Sequence, residues 1–267
     1  MKFTKMHGAG NDFIIINLFE ERLEDINYSL LARRICHRRT GIGADGLMLV
    51  TEAEQGGDFK LLFYNPDGLK GEMCGNGARC IARYGYEHGL AGETQRIETT
   101  AGLITGERID DSRYRIRLND PSIMEKRFAE NRECGYVELG NPGLPHAVTE
   151  WPELSLTELK NLGSALRYSD AFPKGANVSF YRITGADEIE AITYERGVED
   201  FTLACGTGSG SIVAALTAAG LVSGKNVKVK MPGGELLVSL SYDGAAVHDI
   251  YLTGPTCIVC SGKYEDF

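Results

Sequence analysis

The sequence predicts a mixed α/β chain, α+β in overall character, folded as two pseudo-symmetric lobes. Three observations lead there. Apolar runs of strand length alternate with helical stretches from end to end, a glycine-rich block near residue 75 reappears near residue 205, and no low-complexity tract or Gly/Ser linker intervenes. Phe13–Leu18 (FIIINL) is an apolar run suited to a buried strand. Asn27–Arg39 reads as a helix and leads into the turn-forming Gly41-Ile42-Gly43-Ala44-Asp45-Gly46. Leu47–Val50, Phe59–Tyr64 and Lys225–Val229 have strand length and composition, and Tyr114–Leu118 alternates polar and apolar as a half-buried strand does. Leu154–Leu166 reads as a helix.

The repeat is the most informative of the three. Met73–Leu90 reads MCGNGARCIARYGYEHGL and Ala204–Leu221 reads ACGTGSGSIVAALTAAGL; without a gap, Cys, Gly, Gly, Ile, Gly and Leu coincide. Downstream, Thr100-Ala101-Gly102-Leu103-Ile104 matches Pro232-Gly233-Gly234-Glu235-Leu236, and Asp120-Pro121 matches Gly254-Pro255. Chance likeness of two glycine-rich turns does not account for blocks that agree in both order and spacing. The chain is read as an old duplication, with 1–118 as the N-terminal lobe and 119–255 as the C-terminal lobe. If the lobes pair about a pseudo-two-fold axis, the two Cys-Gly-x-Gly turns face one another across a cleft, where ligand sites are favoured.

Composition limits the function classes. Hydrophobic residues at 43% can fill a core, and a net charge of −9 argues against a broad nucleic-acid or anionic-membrane surface. It leaves room for a small zwitterionic ligand held by a few local charges. No apolar run approaches the ~20 residues of a membrane helix. Met1-Lys2-Phe3-Thr4-Lys5 lacks a signal-peptide core, so a cytoplasmic location is expected. Seven widely spread cysteines, an odd number, fit reduced thiols better than a disulfide framework.

Cys74 and Cys205 each precede a helix-like stretch, Ala78–His88 and Ser211–Ala219. Unpaired N–H groups and the helix dipole at such a place favour a thiolate. Glycine-rich backbone there also suits a bound carboxylate. Inverting a carbon centre needs one group to remove a proton from one face and another to deliver a proton to the opposite face, and two like thiols serve both directions. Cys36, Cys80 and Cys134 read instead as small buried hydrophobes. Cys257-Ile258-Val259-Cys260 has metal-like spacing but no second pair, and its alternation fits a C-terminal strand.

Several blocks carry a family resemblance: Lys5-Met6-His7-Gly8-Ala9-Gly10-Asn11-Asp12-Phe13, Tyr64-Asn65-Pro66-Asp67-Gly68 and Glu72-Met73-Cys74-Gly75-Asn76-Gly77-Ala78-Arg79-Cys80 in the first half, then Phe172-Pro173-Lys174-Gly175-Ala176-Asn177-Val178, Glu195-Arg196-Gly197 and Leu203-Ala204-Cys205-Gly206-Thr207-Gly208. Together they resemble the diaminopimelate epimerase family of the pyridoxal-phosphate-independent racemase superfamily, over nearly the whole chain. The resemblance implies two lobes, each a curved, mainly antiparallel sheet around a central helix, with the last strand, about 256–267, returning to the first lobe. It implies interconversion of LL- and meso-diaminopimelate on the route to lysine and peptidoglycan, with no cofactor and no metal. A small amino-acid substrate is the implied partner, with homodimers a common state, and nucleic acid and membrane play no part. Cys74 and Cys205 match the catalytic pair, with Glu195 and His146 beside them. Asn11, Gly75, Asn76, Gly206 and Thr207 match groups holding the reacting end of the substrate. Asn65, Asn177 and Arg196 match groups holding the distal end, where the Arg196 fork suits a carboxylate.

Two departures from the pattern bear on the substrate. Gly140-Asn141-Pro142-Gly143-Leu144-Pro145-His146 is longer by three residues before the histidine, so Asn141 is a candidate contact rather than an assigned one. Glu199-Asp200-Phe201-Thr202 is longer by one, with Phe201 where the family has glutamate, and a reshaped site is expected there. Alternative readings are a racemase for another amino acid, such as histidine or a sulfur-bridged analogue like lanthionine, or a non-catalytic thiol-switch protein using Cys74 and Cys205.

Overall fold

The computed structural model describes residues 1–23, 26–71, 74–140 and 142–265. In chain order the elements are β1 (Lys2–Gly8), β2 (Asn11–Asn17), α1 (Tyr28–Ile35), β3 (Gly46–Thr51), β4 (Phe59–Tyr64), α2 (Gly75–Glu87), β5 (Thr94–Thr99), β6 (Gly102–Arg108) and β7 (Arg113–Arg117). There follow β8 (Pro121–Ala129), β9 (Arg132–Leu139), β10 (Leu144–Glu150), α3 (Leu156–Arg167), β11 (Asn177–Gly185), β12 (Glu188–Glu195), β13 (Asp200–Thr202), α4 (Gly206–Ala218), β14 (Val227–Met231), β15 (Gly234–Tyr242), β16 (Val247–Pro255) and β17 (Cys257–Lys263). The chain divides into two compact units, Met1–Ile116 with Gly254–Phe267, and Arg117–Thr253.

Strand pairing repeats from one unit to the other. In the first, β17, β1 and β2 are successively antiparallel, β2 and β3 parallel, β3 and β4 antiparallel, β4 and β5 parallel, and β5, β6 and β7 antiparallel. In the second, β8, β9 and β10 are antiparallel, β10 and β11 parallel, β11 and β12 antiparallel, β12 and β14 parallel, and β14, β15 and β16 antiparallel. The order of senses is the same throughout, and β17, from the far end of the chain, stands where β8 stands in the other unit. The downstream part of the sequence match falls on equivalent hairpins, closed at Thr99↔Gly102 and at Met231↔Gly234. β13 is an addition of the second unit, paired antiparallel to β12.

A parallel pair needs a crossover, and each of the four helices among the described residues supplies one. α2 touches β1, β2 and β6, and α4 touches β9, β10, β11 and β15. Strands that far apart in the pairing order meet one helix only if the sheet curls around it. Both helices are accordingly buried on nearly every side through their N-terminal two turns. The outer helices are capped in the usual way: Asn27 Oδ1 accepts the Leu30 N–H, and Ser155 Oγ accepts that of Glu158.

Three helices depart from the sequence reading. α1 ends at Ile35, short of Arg39, because the chain folds back: Gly41 donates to the His37 carbonyl and Gly43 to that of Ile35. α2 and α4 start earlier than expected, at Gly75 and Gly206, so the glycine-rich stretches are first helical turns rather than loops before them. Glycine disfavours a helix by about 1 kcal/mol relative to alanine, which hides such a start from the sequence. Packing overrides propensity here. A Cβ at Gly208 would lie 2.8 Å from Ser179 Oγ and 2.9 Å from Thr193 Oγ1, and one at the equivalent Gly77 would meet the Met48 methyl. No described helix is long and apolar enough to cross a membrane.

The sign of Gly208→Ala tests this. Propensity alone favours alanine by about 1 kcal/mol, whereas the short, buried Ser179 and Thr193 side chains leave the extra methyl no room, at a cost of about 1–3 kcal/mol. Thermal unfolding is expected to show a lowered Tm; an unchanged or raised Tm would mean the first turn of α4 is not held against those hydroxyls.

Candidate active site

In the first unit the β1–β2 hairpin turns through Ala9 and Gly10, both at positive φ, and delivers Asn11 to the end of the sheet. The registers Phe13↔Gly46 and Leu47↔Tyr64 put the start of β3 and the end of β4 at that same end, and Asn65 follows directly. The Asn65 backbone closes a tight turn, donating to the Leu69 carbonyl and accepting from Gly68. Cys74 is the N-cap residue of α2, in extended conformation with φ −106° and ψ 120°. It is half-buried beside Met48, Leu61 and Phe63.

Behind Cys74 lies a polar cluster. Asn76, 1% exposed, donates Nδ2 to Asn11 Oδ1 at 2.5 Å, and Asn11 donates to Asp45 Oδ2 at 3.2 Å. The wholly buried Arg79 donates to Asn76 Oδ1 at 2.9 Å and to the Gly75 carbonyl at 3.3 Å. Burial pulls the Arg79 guanidinium down to about 10, against the opposing pull of the Cys80 and Cys74 thiols, so it stays charged at neutral pH. Arg38 bridges Asp45 and Asp12, and Lys5 reaches Asp12 at 3.0 Å. Burial works to raise the Asp12 carboxyl, but the hydrogen bonds from Arg38 and Lys5 win and hold it below the usual carboxylate range.

In the second unit Cys205 is likewise an N-cap residue, with φ −120° and ψ 108°, and is 5% exposed. Its sulfur accepts the Gly208 N–H at 3.4 Å and lies 3.6 Å from Thr207 Oγ1, while its own N–H donates to Met231 Sδ. The cysteine thus takes the place that Ser, Thr or Asp takes in an ordinary N-cap. His146↔Asn177 and Val178↔Tyr194 align the starts of β10 and β11 with the end of β12, which gathers His146, Asn177 and Glu195 at one end of the sheet. Glu195 accepts from Thr202 Oγ1 at 2.5 Å. Asn177 Oδ1 accepts the Arg196 N–H at 2.8 Å, and Arg196 Nη1 donates to the Lys174 carbonyl. His146 is completely buried, neither ring nitrogen has a hydrogen-bond partner among the described residues, and burial, helped by the Arg196 charge, pushes its pKa down to about 3.

Asn11 and Asn76 thus meet in the first unit, and the strand register gathers His146, Asn177 and Glu195 at one end of the sheet in the second, while Asn141 lies outside the described residues. The Phe201 ring packs against Phe180 and Tyr194, and Thr202, the next residue on β13, bonds Glu195. The sequence reading assigned no role to Arg79, Asp45, Arg38 or Lys5, and none to Ser179 and Thr193, whose hydroxyls pair at 2.9 Å under the first turn of α4. An arginine or aspartate looks like a surface residue until the strand register is known. A groove of about 560 Å³ in the second unit, walled by Val148, Tyr181, Leu216 and Tyr242, contains none of the expected site residues. Cys257 and Cys260 are exposed along β17, and no group of three or more metal-binding side chains comes together among the described residues.

Comparison with known proteins identifies the fold and the family. A probable proline racemase from Agrobacterium radiobacter K84 superposes with a TM-score of 0.74, covering 100% of this chain and 93% of that one at 18% identity, so the fold is that of the proline racemase type of isomerase. At the sequence level, the family described as Diaminopimelate epimerase matches residues 3–122 and 139–259. The diaminopimelate epimerase of Aquifex aeolicus is 37% identical over 278 residues, covering 100% of this chain and 98% of that protein. That of Methanothrix thermoacetophila is 36% identical over 279 residues, covering 100% and 96%. The chain belongs to the diaminopimelate epimerase family.

The His146 environment sets a pH dependence. A histidine with an ordinary pKa of about 6.5 when unfolded and about 3 when folded binds its proton only on unfolding in between. Stability is therefore complete above about pH 6.5 and falls as the pH drops below it, by roughly 1.4 kcal/mol per unit from this group. The depressed Asp12 carboxyl acts in the same direction at lower pH, since its contribution is present above the unfolded pKa and lost on protonation. Chemical denaturation of His146→Asn between pH 4 and 7 is expected to give a shallower slope than the parent protein. Equal slopes would mean that His146 already carries its proton in the folded state.

Proposed function

We propose that this chain interconverts LL- and meso-diaminopimelate by a two-base reaction with Cys74 and Cys205 as acid and base. One cysteine, as thiolate, takes the α-proton from one face of the carbon. The electron pair left on carbon delocalises onto the adjoining carboxylate. The other cysteine, as thiol, delivers a proton to the opposite face, so the two thiols end with roles exchanged and reset through solvent. The observation that carries the reading is the equal placement of the two thiols: each is the extended N-cap residue of a 13-residue central helix, α2 or α4, whose first turn is glycine-rich. N–H donors and the positive end of the helix favour both the thiolate and the carboxylate on which charge accumulates.

Roles for the other residues follow from chemistry. Asn11, Gly75, Asn76, Gly206 and Thr207 hold the reacting end. Asn65, Asn177 and Arg196 hold the distal head, with the Arg196 fork on its carboxylate. Glu195 and the neutral His146 orient groups near the second thiol. Retention of Asn65, Asn177 and Arg196 favours a substrate with two amino-acid heads over a single-headed one.

Deuterium uptake at the α-carbon, measured for LL-diaminopimelate beside single-headed amino acids, is expected for the diaminopimelate alone; uptake confined to a single-headed substrate would overturn the assignment. Cys74→Ser and Cys205→Ser are each expected to lower epimerisation at least about 100-fold, with one-sided exchange persisting in part. Full turnover in either variant would exclude the two-thiol mechanism. Arg196→Lys keeps the charge and loses the fork, so KM should rise with little change in kcat.

A further inference from the structure

The groove in the second unit has a counterpart in the first, and the pair shows what the groove lacks. α2 and α4 are each 13 residues long and begin one residue after their cysteine. Tyr84 therefore corresponds to Ala215, and the C-cap residue His88 to the C-cap residue Ala219. Strand register extends the match. Phe13 and His146 each pair with the first residue of the following parallel strand, and their antiparallel partners are Met6 and Val137. Counting along from these, Thr4 corresponds to Gly135, Ile15 to Val148 and Asn17 to Glu150. Thr4, Ile15, Asn17, Tyr84 and His88 line one space at the C-terminal end of α2, and their equivalents line the groove at the C-terminal end of α4.

In the first unit rings fill that space. Tyr84 is 4% exposed, His88 stacks on it with ring centroids 3.7 Å apart, and the Tyr84 hydroxyl meets the Asn17 side chain. What stays open measures about 210 Å³. In the second unit two alanines and a glycine replace the two rings and the threonine, and about 560 Å³ is open. A Cβ at Gly135 would press on Val148 at 2.7 Å and face the Ala215 methyl at 3.7 Å, so the glycine widens the groove where the tyrosine ring is missing. The polar edge changes as well. Glu125 and Glu133 on the rim are paired with Arg127 and Lys126, but the Glu150 carboxylate has no hydrogen-bond or ion-pair partner among the described residues. The last carbonyls of α4 add the negative end of a helix dipole.

We propose that this groove binds a small aromatic cation of the aryl-alkyl ammonium class, its ring in the space that Tyr84 and His88 fill in the first unit and its charge on Glu150. A mostly apolar cleft with few polar anchors is the common form of a small-ligand site. A space merely vacated by divergence gives no reason for a charge to replace Asn17 at its edge. The groove lies wholly in the second unit and holds none of the residues assigned to epimerisation, so the proposal stands apart from that assignment.

Tryptamine and its neutral isostere tryptophol are the probes, titrated into the full chain and followed by backbone amide shifts in NMR. Tryptamine is expected to bind saturably with a Kd of about 1 mM or tighter and to shift the Glu150, Tyr181 and Ala219 amides, with tryptophol about 5-fold weaker. Glu150→Gln, at an exposed position, is expected to keep the parental Tm and to bring tryptamine down to the tryptophol level. Ala215→Tyr combined with Ala219→His copies the ring pair of α2 into the groove and is expected to abolish tryptamine binding; if that double variant does not fold, Glu150→Gln decides alone. No saturable binding below about 10 mM, equal affinity for the two probes, parental affinity in Glu150→Gln, or binding that survives in a folded double variant would each overturn the proposal. Groove amides that shift with protein concentration and not with tryptamine would give the groove to a second copy of the chain and overturn it too.

Discussion

The arrangement depends on bringing the bare N-terminus of a buried helix up against the ends of a sheet. The first-turn N–H groups of a helix have no partner within it, and burying them needs an acceptor. In the second unit the acceptor is the Cys205 sulfur, which takes the Gly208 N–H where a hydroxyl or carboxylate would normally cap. Sulfur accepts weakly, so the thiol is a poorer cap than a hydroxyl or carboxylate. Gly208 permits the approach, because a Cβ there would strike the hydroxyls of Ser179 and Thr193. Helix propensity is given up at that glycine in exchange for the close packing.

The two units solve the same geometric problem with different polar chemistry. In the first, a buried cation and a chain of amides stand behind the cysteine helix. In the second, the equivalent end of the sheet carries a neutral buried histidine, an asparagine that accepts a backbone N–H, and a glutamate bonded to a threonine. The strand senses have been kept by both units while the side chains have diverged.

Much of this was legible in the sequence for a definite reason. A duplication leaves two copies of one pattern, and the copies support each other: the Cys-Gly-x-Gly blocks and the downstream match of Thr100–Ile104 with Pro232–Leu236 are visible in the sequence itself. Buried apolar runs such as Phe13–Leu18 became strands because nothing else buries them. What could not be read depends on register. Arg79 looks like any helical arginine until α2 is found buried on all sides at that level. Asp45 gains its meaning from β2 and β3 being parallel, which sets it beside Asn11. The helix starts at Gly75 and Gly206 were missed because local propensity opposes them and only tertiary packing decides. The packing of Phe201 depends on register too: on the three-residue β13 its ring meets Phe180 and Tyr194 while the neighbouring Thr202 bonds Glu195.

The extended segment before His146 can be understood on the same footing. It joins β9 to β10, and its Gly143 lies against Glu138, where a Cβ would come within 2.6 Å of Oε2. Glu138 is a buried carboxylate that accepts from Tyr136 and from Lys174 Nζ at 2.8 Å. Burial works to raise its pKa, and the bonds from Lys174 and Tyr136 bring it below the usual range, so it is ionised and needs both partners. The Lys174 carbonyl in turn takes the Arg196 guanidinium. Gly143 is therefore set against the carboxylate that anchors Lys174, and the Lys174 carbonyl holds Arg196, so a side chain added at position 143 would press on the support of the arginine.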